Sequence, residues 1–168
     1  LAGHSLGEYS ALLASNSIKI DDAISLVHKR GKCMENSQKG SMFAILNLGL
    51  NEINQICKVV EEETGEVISP ANINSPNQVV IAGSDKAAII AADKCKEAGA
   101  KRCIQLKVSV ASHCNLMDEA ARVFKKELDE HTFDTPDVSI IHNVDAKIEE
   151  DIANIPNKLI EQLTLPVQ

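Results

Sequence analysis

The chain has 168 residues, 44% of them hydrophobic, and a formal net charge of −7. That apolar content suffices for one sizeable core with room for two lobes, while three Phe, one Tyr and no Trp leave no base-stacking surface and the acidic balance excludes an ordinary phosphate-backbone binder. Five cysteines (Cys33, Cys57, Cys95, Cys103 and Cys114) form no C-x-x-C pair and no zinc-spaced cluster, so they read as free thiols in a reducing cytosol, and no run is apolar enough to span a bilayer.

Gly3-His4-Ser5-Leu6-Gly7 is a G-x-S-x-G pentapeptide, followed by Glu8. A serine at this spacing sits on a sharp strand-to-helix turn that strains its backbone and projects its hydroxyl. The flanking glycines spare the turn a Cβ collision, and the amides opening the next helix favour a developing oxyanion. Only Leu1 and Ala2 precede it, and Leu165-Pro166-Val167-Gln168 has neither polar tail nor helix stop, so the chain is expected to be an internal piece of a larger protein.

A helix is expected over 6–14, with Leu6, Leu12 and Leu13 buried, broken by Ser15-Asn16-Ser17. Asp21 or Asp22 caps a second, where Ile24, Val27, Gly31 and Met34 recur at helical spacing and which carries His28, Lys29, Arg30 and Lys32. A strand over 42–47 follows, then a helix capped by Asn51 with Ile53, Ile56, Cys57 and Val60 apolar. Strands over 67–73 and 78–82 flank a Ser75-Pro76-Asn77 turn; Ser84 caps a helix that Gly99 stops, and 101–108 closes the unit as a strand. The order βαββαβ is the split-βαβ, ferredoxin-like pattern, inserted as residues 41–108 between 1–40 and 109–168. From Asn115 an amphipathic helix carries Leu116, Ala120, Val123, Phe124 and Leu128; Pro136 opens a strand over 138–144, and a last helix spans about 155–163. The flanking parts alternate as in a parallel α/β sheet, so the fold class is α/β.

A serine hydroxyl needs a base. His4 is adjacent and points away around the turn, His28 sits among surface charges, His131 lies in a polar stretch, and His142 reads as a satisfied core histidine. His113, in a loop after a strand end and before a helix, is the best-placed candidate. No acid stands in a distinctive context between Ser5 and His113, so a dyad oriented by a carbonyl or amide is the expectation. Arg30 reads either as a solvated surface charge or as a bidentate clamp for a carboxylate.

GHSLGEYSAL at 3–12, HKRGKCM at 28–34, ANINSPNQVVIAG at 71–83 and VSVASHCNLM at 108–117 together resemble the malonyl-CoA:acyl carrier protein transacylase family, relatives of the acyltransferase domains of polyketide synthases. The resemblance runs over essentially the whole chain. It implies an α/β-hydrolase-like parallel-sheet core interrupted by the ferredoxin-like subdomain. It implies transfer of a malonyl group from malonyl-CoA to the phosphopantetheine thiol of an acyl carrier protein in fatty acid synthesis, through a malonyl-serine.

By the same resemblance Ser5 is the nucleophile, His113 the base and acid, Arg30 the grip on the malonyl carboxylate, and the Leu6 amide one oxyanion donor. The carbonyl of Gln168 orients the histidine, and Asn72 and Asn74 contribute to substrate binding. The family's second oxyanion donor, a glutamine in a glycine-rich segment, is not in this sequence. Coenzyme A enters as a substrate thioester, so no cofactor and no metal are expected, nor a nucleic-acid or membrane partner. The location implied is the cytoplasm or an organelle of bacterial origin. Leu6 after the nucleophile leans towards malonyl over methylmalonyl. Since coenzyme A and carrier proteins are anionic, a local basic patch must outweigh the net charge, with Lys29, Lys32, Lys101, Arg102 and Lys107 as candidates. The competing readings are a serine hydrolase or esterase and an inactive folded fragment.

Overall fold

The computed structural model describes residues 1–168. The elements are α1 (Leu6–Ala14), α2 (Ile20–Glu35), β1 (Ser41–Leu46), α3 (Leu50–Thr64), β2 (Ile68–Ser75), β3 (Gln78–Gly83), α4 (Asp85–Glu97), β4 (Arg102–Gln105), α5 (Asp118–Asp129) and α6 (Ile155–Thr164). A short 3-10 turn, Asn115–Met117, leads into α5. Ser84 caps α4 as expected, its hydroxyl accepting from the Ala87 amide. The other two expected caps fall elsewhere. Lys19 precedes α2, leaving Asp21 and Asp22 in the first turn where their charge suits the helix dipole, and Gly49 precedes α3.

β1 to β4 form one antiparallel sheet in the order β2-β3-β1-β4, with Met42 opposite Ala82 and Ile45 opposite Val79. Side chains alternate across it. Ile45, Val79 and Ile81 face a core shared with Ile53, Cys57 and Val60 of α3 and Ala88, Ala91 and Cys95 of α4. Met42, Ala44, Val80 and Ala82 face a second core with Leu12, Leu26, Phe124, Leu128, Leu159 and Leu163 from α1, α2, α5 and α6. The sheet is therefore covered on both faces, and one face belongs to the interior that supports the elbow.

Three expectations are corrected. The apolar run over 138–144 forms no strand: Ile141 makes one parallel bridge to Ala2 and one antiparallel bridge to Ile148. Within that run the Asn143 amide turns to the Glu8 carboxylate instead of to a strand partner. On α2 the buried stripe is Ala23, Leu26, Arg30 and Met34, one residue out of phase with the expected Ile24, Val27 and Gly31. Ile24 is exposed and lines a groove of about 400 Å³ with Tyr9, Leu13, Ala23 and Val27. Leu6, expected in the core, is also half-exposed.

Candidate active site

Ser5 sits where the extended chain of Ala2 turns into α1, at φ 53° and ψ −107°. A positive φ on a non-glycine residue is costly and persists only where surroundings hold it. They do so here on both sides. The Ser5 amide donates to Asn143 Oδ1 at 2.6 Å, and Asn143 Nδ2 donates to the Gly3 carbonyl at 2.8 Å. A Cβ on Gly3 would lie 2.0 Å from the Gly7 carbonyl oxygen, so glycine is required there. A Cβ on Gly7 would meet nothing, which corrects the expectation that both glycines relieve a clash. Leu6 carries the first amide of α1, one of the four without an intrahelical acceptor.

The fold brings Ser5, His113 and Arg30 together from three separate stretches of chain. Ser5 Oγ lies 2.9 Å from His113 Nε2. His113 Nδ1 lies 2.5 Å from the main-chain carbonyl of Gln162. A carbonyl only accepts, so Nδ1 carries the proton and Nε2 offers its lone pair to the serine hydroxyl. His113 is itself held at φ 63°, and its amide donates to the Leu163 carbonyl at 3.0 Å. Burial is the main force lowering its pKa to about 4; the Gln162 carbonyl opposes this, and the Arg30 and His4 charges add to the lowering. The imidazole is therefore neutral at pH 7, as a general base must be.

Arg30 is 5% exposed, so the surface reading is wrong. Its Nη2 donates to Ser5 Oγ at 3.1 Å and to Gln162 Oε1 at 3.0 Å. Nε is buried without a partner, and the guanidinium lies 5.8 Å from the centroid of the Tyr9 ring. Burial lowers its pKa, against the opposing pull of Tyr9 and Glu8. A desolvated cation beside the serine hydroxyl, with a donor to spare, can pair with an anionic group.

The carbonyl assigned to Gln168 is corrected to Gln162. The Gln168 amide donates to the Asn143 carbonyl at 2.8 Å and its side chain to the Val144 carbonyl at 2.6 Å, so it braces the 142–144 segment without touching His113. Asn74 Oδ1 lies 3.1 Å from His4 Nε2, which ties β2 to the elbow. Asn72 is buried beside Val167, its neighbours Ala71 and Ile73 exchanging main-chain hydrogen bonds with Val167. Of the basic candidates, Lys29 is bonded to Glu127 and so is no free charge.

Sequence reasoning missed Gln162, Asn143 and the role of Glu8. Gln162 shares the buried stripe of α6 with Ile155, Leu159 and Leu163. A polar residue on a core-facing stripe is the signal that marked it. Among ionisable side chains, no group of three His, Cys, Asp or Glu is arranged to hold a metal ion, and no helix is long and apolar enough to cross a membrane.

A family model described as the acyl transferase domain matches residues 1–157. The malonyl CoA-acyl carrier protein transacylase of Haemophilus influenzae is 47% identical over 171 residues, covering 100% of this chain and 54% of the relative. Its Bacillus subtilis counterpart is 43% identical over 99% of this chain and 53% of the relative. A solved malonyl CoA-acyl carrier protein transacylase from Coxiella burnetii superposes with a TM-score of 0.95 at 41% identity, over 99% of this chain and 53% of that one. A malonyl-transacylase solved in complex with a type II polyketide synthase acyl-carrier protein gives 0.95 at 45% identity, over 99% and 54%. The chain spans about half the length of the curated relatives it matches.

Proposed function

Since the chain belongs to the acyl transferase domain family, we propose that the protein carrying it moves a malonyl group from malonyl-CoA to the phosphopantetheine thiol of an acyl carrier protein. The observation that carries this reading is the buried Arg30 guanidinium 3.1 Å from the same Ser5 Oγ that lies 2.9 Å from His113 Nε2. A plain ester hydrolase has no use for a desolvated cation beside its nucleophile, whereas a malonyl thioester brings a carboxylate that pairs with it. An acetyl group would leave the cation unpaired, which is the basis of selectivity.

Ser5 Oγ attacks the thioester carbonyl as its proton passes to His113 Nε2, with the Leu6 amide donating to the oxyanion. Collapse expels coenzyme A, whose sulfur takes that proton, and leaves malonyl-Ser5. The carrier thiol then gives its proton to His113, attacks the ester carbonyl, and releases Ser5 Oγ to be reprotonated by the imidazolium. The Gln162 carbonyl holds the ring in the one tautomer that can perform both transfers. No cofactor enters the cycle. We further assign residues 41–108 to a ferredoxin-like subdomain set into an α/β-hydrolase-like core made of 1–40 and 109–168, and place the protein in the cytoplasm. The antiparallel order β2-β3-β1-β4 and the parallel Ala2–Ile141 bridge support that division.

The test is mass spectrometry of the full-length protein mixed with malonyl-CoA. A malonyl adduct on Ser5 that disappears on adding carrier protein is expected. A folded sample that forms no adduct overturns the reading.

A further inference from the structure

Behind the elbow lies a polar cluster of which the proposed chemistry uses only the Gln162 main-chain carbonyl. Glu8, His142 and Gln162 are at most 1% exposed and Asn143 is 5% exposed. Glu8 makes no salt bridge with lysine or arginine; its one partner at ion-pair distance is His142, whose Nδ1 lies 2.6 Å from Oε1. Its other oxygen, Oε2, accepts from the Asn143 amide at 3.3 Å and from Gln162 Nε2 at 2.5 Å. One carboxylate thus receives three donors, in an interior where an unpaired one would be costly.

The consequence falls on Gln162. A primary amide can be turned either way round, and its two ends differ in kind. A carboxylate accepts only, so the end facing Glu8 must be Nε2. The opposite end is then Oε1, which meets Arg30 Nη2 at 3.0 Å. Turned over, the amide would set Nε2 against the guanidinium, donor against donor. Nε2 also reaches the Ser5 carbonyl at 3.2 Å, and the same residue's main-chain oxygen holds His113. Arg30 is therefore aimed at Ser5 by Gln162, and Gln162 is aimed chiefly by Glu8, the shortest of the contacts to Nε2, with the Ser5 carbonyl and Asn143 Oδ1 at 3.4 Å as weaker acceptors on the same side.

We propose that Glu8, seated against His142, is a positioning residue for acyl-group selectivity: it sets the Gln162 amide, which in turn holds the Arg30 guanidinium in line with the acyl chain on Ser5. This rests on the reading that Arg30 receives the substrate carboxylate. Glu8→Gln can preserve the arrangement. Its Oε1 can face Gln162 and Asn143, while its Nε2 donates to His142 Nδ1 once the ring adopts its other tautomer. Glu8→Met cannot, because it offers only a weak thioether acceptor.

The experiment measures kcat/KM for acylation of Ser5 by malonyl-CoA and by acetyl-CoA in the full-length protein, alongside Arg30→Ala as a control. Glu8→Met is expected to lower the malonyl-to-acetyl ratio tenfold or more, and Glu8→Gln to keep it within threefold of wild type. Equal losses on both thioesters in Glu8→Met would mean a merely structural role and overturn the proposal. So would a Glu8→Gln ratio as low as that of Glu8→Met. Should Glu8→Met fail to fold, Gln162→Met decides, since it keeps the main-chain carbonyl on His113 and loses only the amide; an unchanged ratio there overturns the proposal. A wild-type protein without malonyl preference, or an Arg30→Ala control that keeps it, strikes the functional reading instead.

Discussion

His113→Asn isolates the stability held by one buried imidazole. Folding takes the ring from 6.5 to about 4, chiefly through burial. Between those values the unfolded chain binds a proton that the folded chain refuses. Stability from this group is therefore complete above about pH 6.5 and is lost as the pH falls towards 4. At ~1.4 kcal/mol per unit the full loss is about 3 kcal/mol, most of it spent by roughly pH 4.5. Asparagine suits the test because it tolerates the positive φ of 63° at this position and can still donate to the Gln162 carbonyl. The assay is urea unfolding of both proteins at pH 7.5 and 4.5. The remaining groups are common to both proteins, so their contributions cancel in the difference. Wild type is expected to lose about 2 to 3 kcal/mol more than the variant across that interval, roughly a 1 M larger fall in urea midpoint. Parallel pH dependences would refute the claim that His113 is held neutral by burial.

Arg30→Ala should cut the preference for malonyl-CoA over acetyl-CoA by about 30-fold in kcat/KM, the equivalent of roughly 2 kcal/mol for a charge-assisted hydrogen bond; steady-state competition between the two thioesters reads this directly. Acylation of Ser5 by malonyl-CoA should stay level from pH 8 to about 5 and decline only as His113 protonates near 4; rapid-quench rates with a midpoint at 6.5 would contradict the buried base. The two glycines of the elbow should respond with opposite sign. Gly3→Ala drives a Cβ to 2.0 Å from a backbone oxygen and should cost about 3 kcal/mol. Gly7→Ala enters open space on a helix and should be neutral to ~1 kcal/mol more stable; thermal melts of both variants compare them.

Features of the fold that depend on neighbouring residues could be read from the chain before any coordinates. The strained turn at Ser5 is written in Gly3, the start of α4 in Ser84, and the antiparallel unit in the apolar runs that become β1, β2 and β3. Such signals live within a few residues, where backbone sterics and side-chain periodicity act. The placement of His113 in a loop before a helix was equally visible, because loops at strand ends gather functional groups. Its distance from Ser5 was not.

What the sequence by itself determined was therefore the elbow, the order of elements as far as α5 and the residue types available for acyl chemistry. Tertiary structure alone decided which of those residues meet. The sequence left Arg30 open between a surface charge and a carboxylate clamp, and the phase of α2, which buries Ala23 and Leu26 rather than Ile24, decided between them. The Gln162 carbonyl has no helical donor, because the residue four on is Pro166, and the docking of α6 through Ile155, Leu159 and Leu163 brings it, rather than that of Gln168 beyond the helix, against His113. A helix's rotation is chosen by partners more than a hundred residues away, and no local pattern encodes which face they will cover.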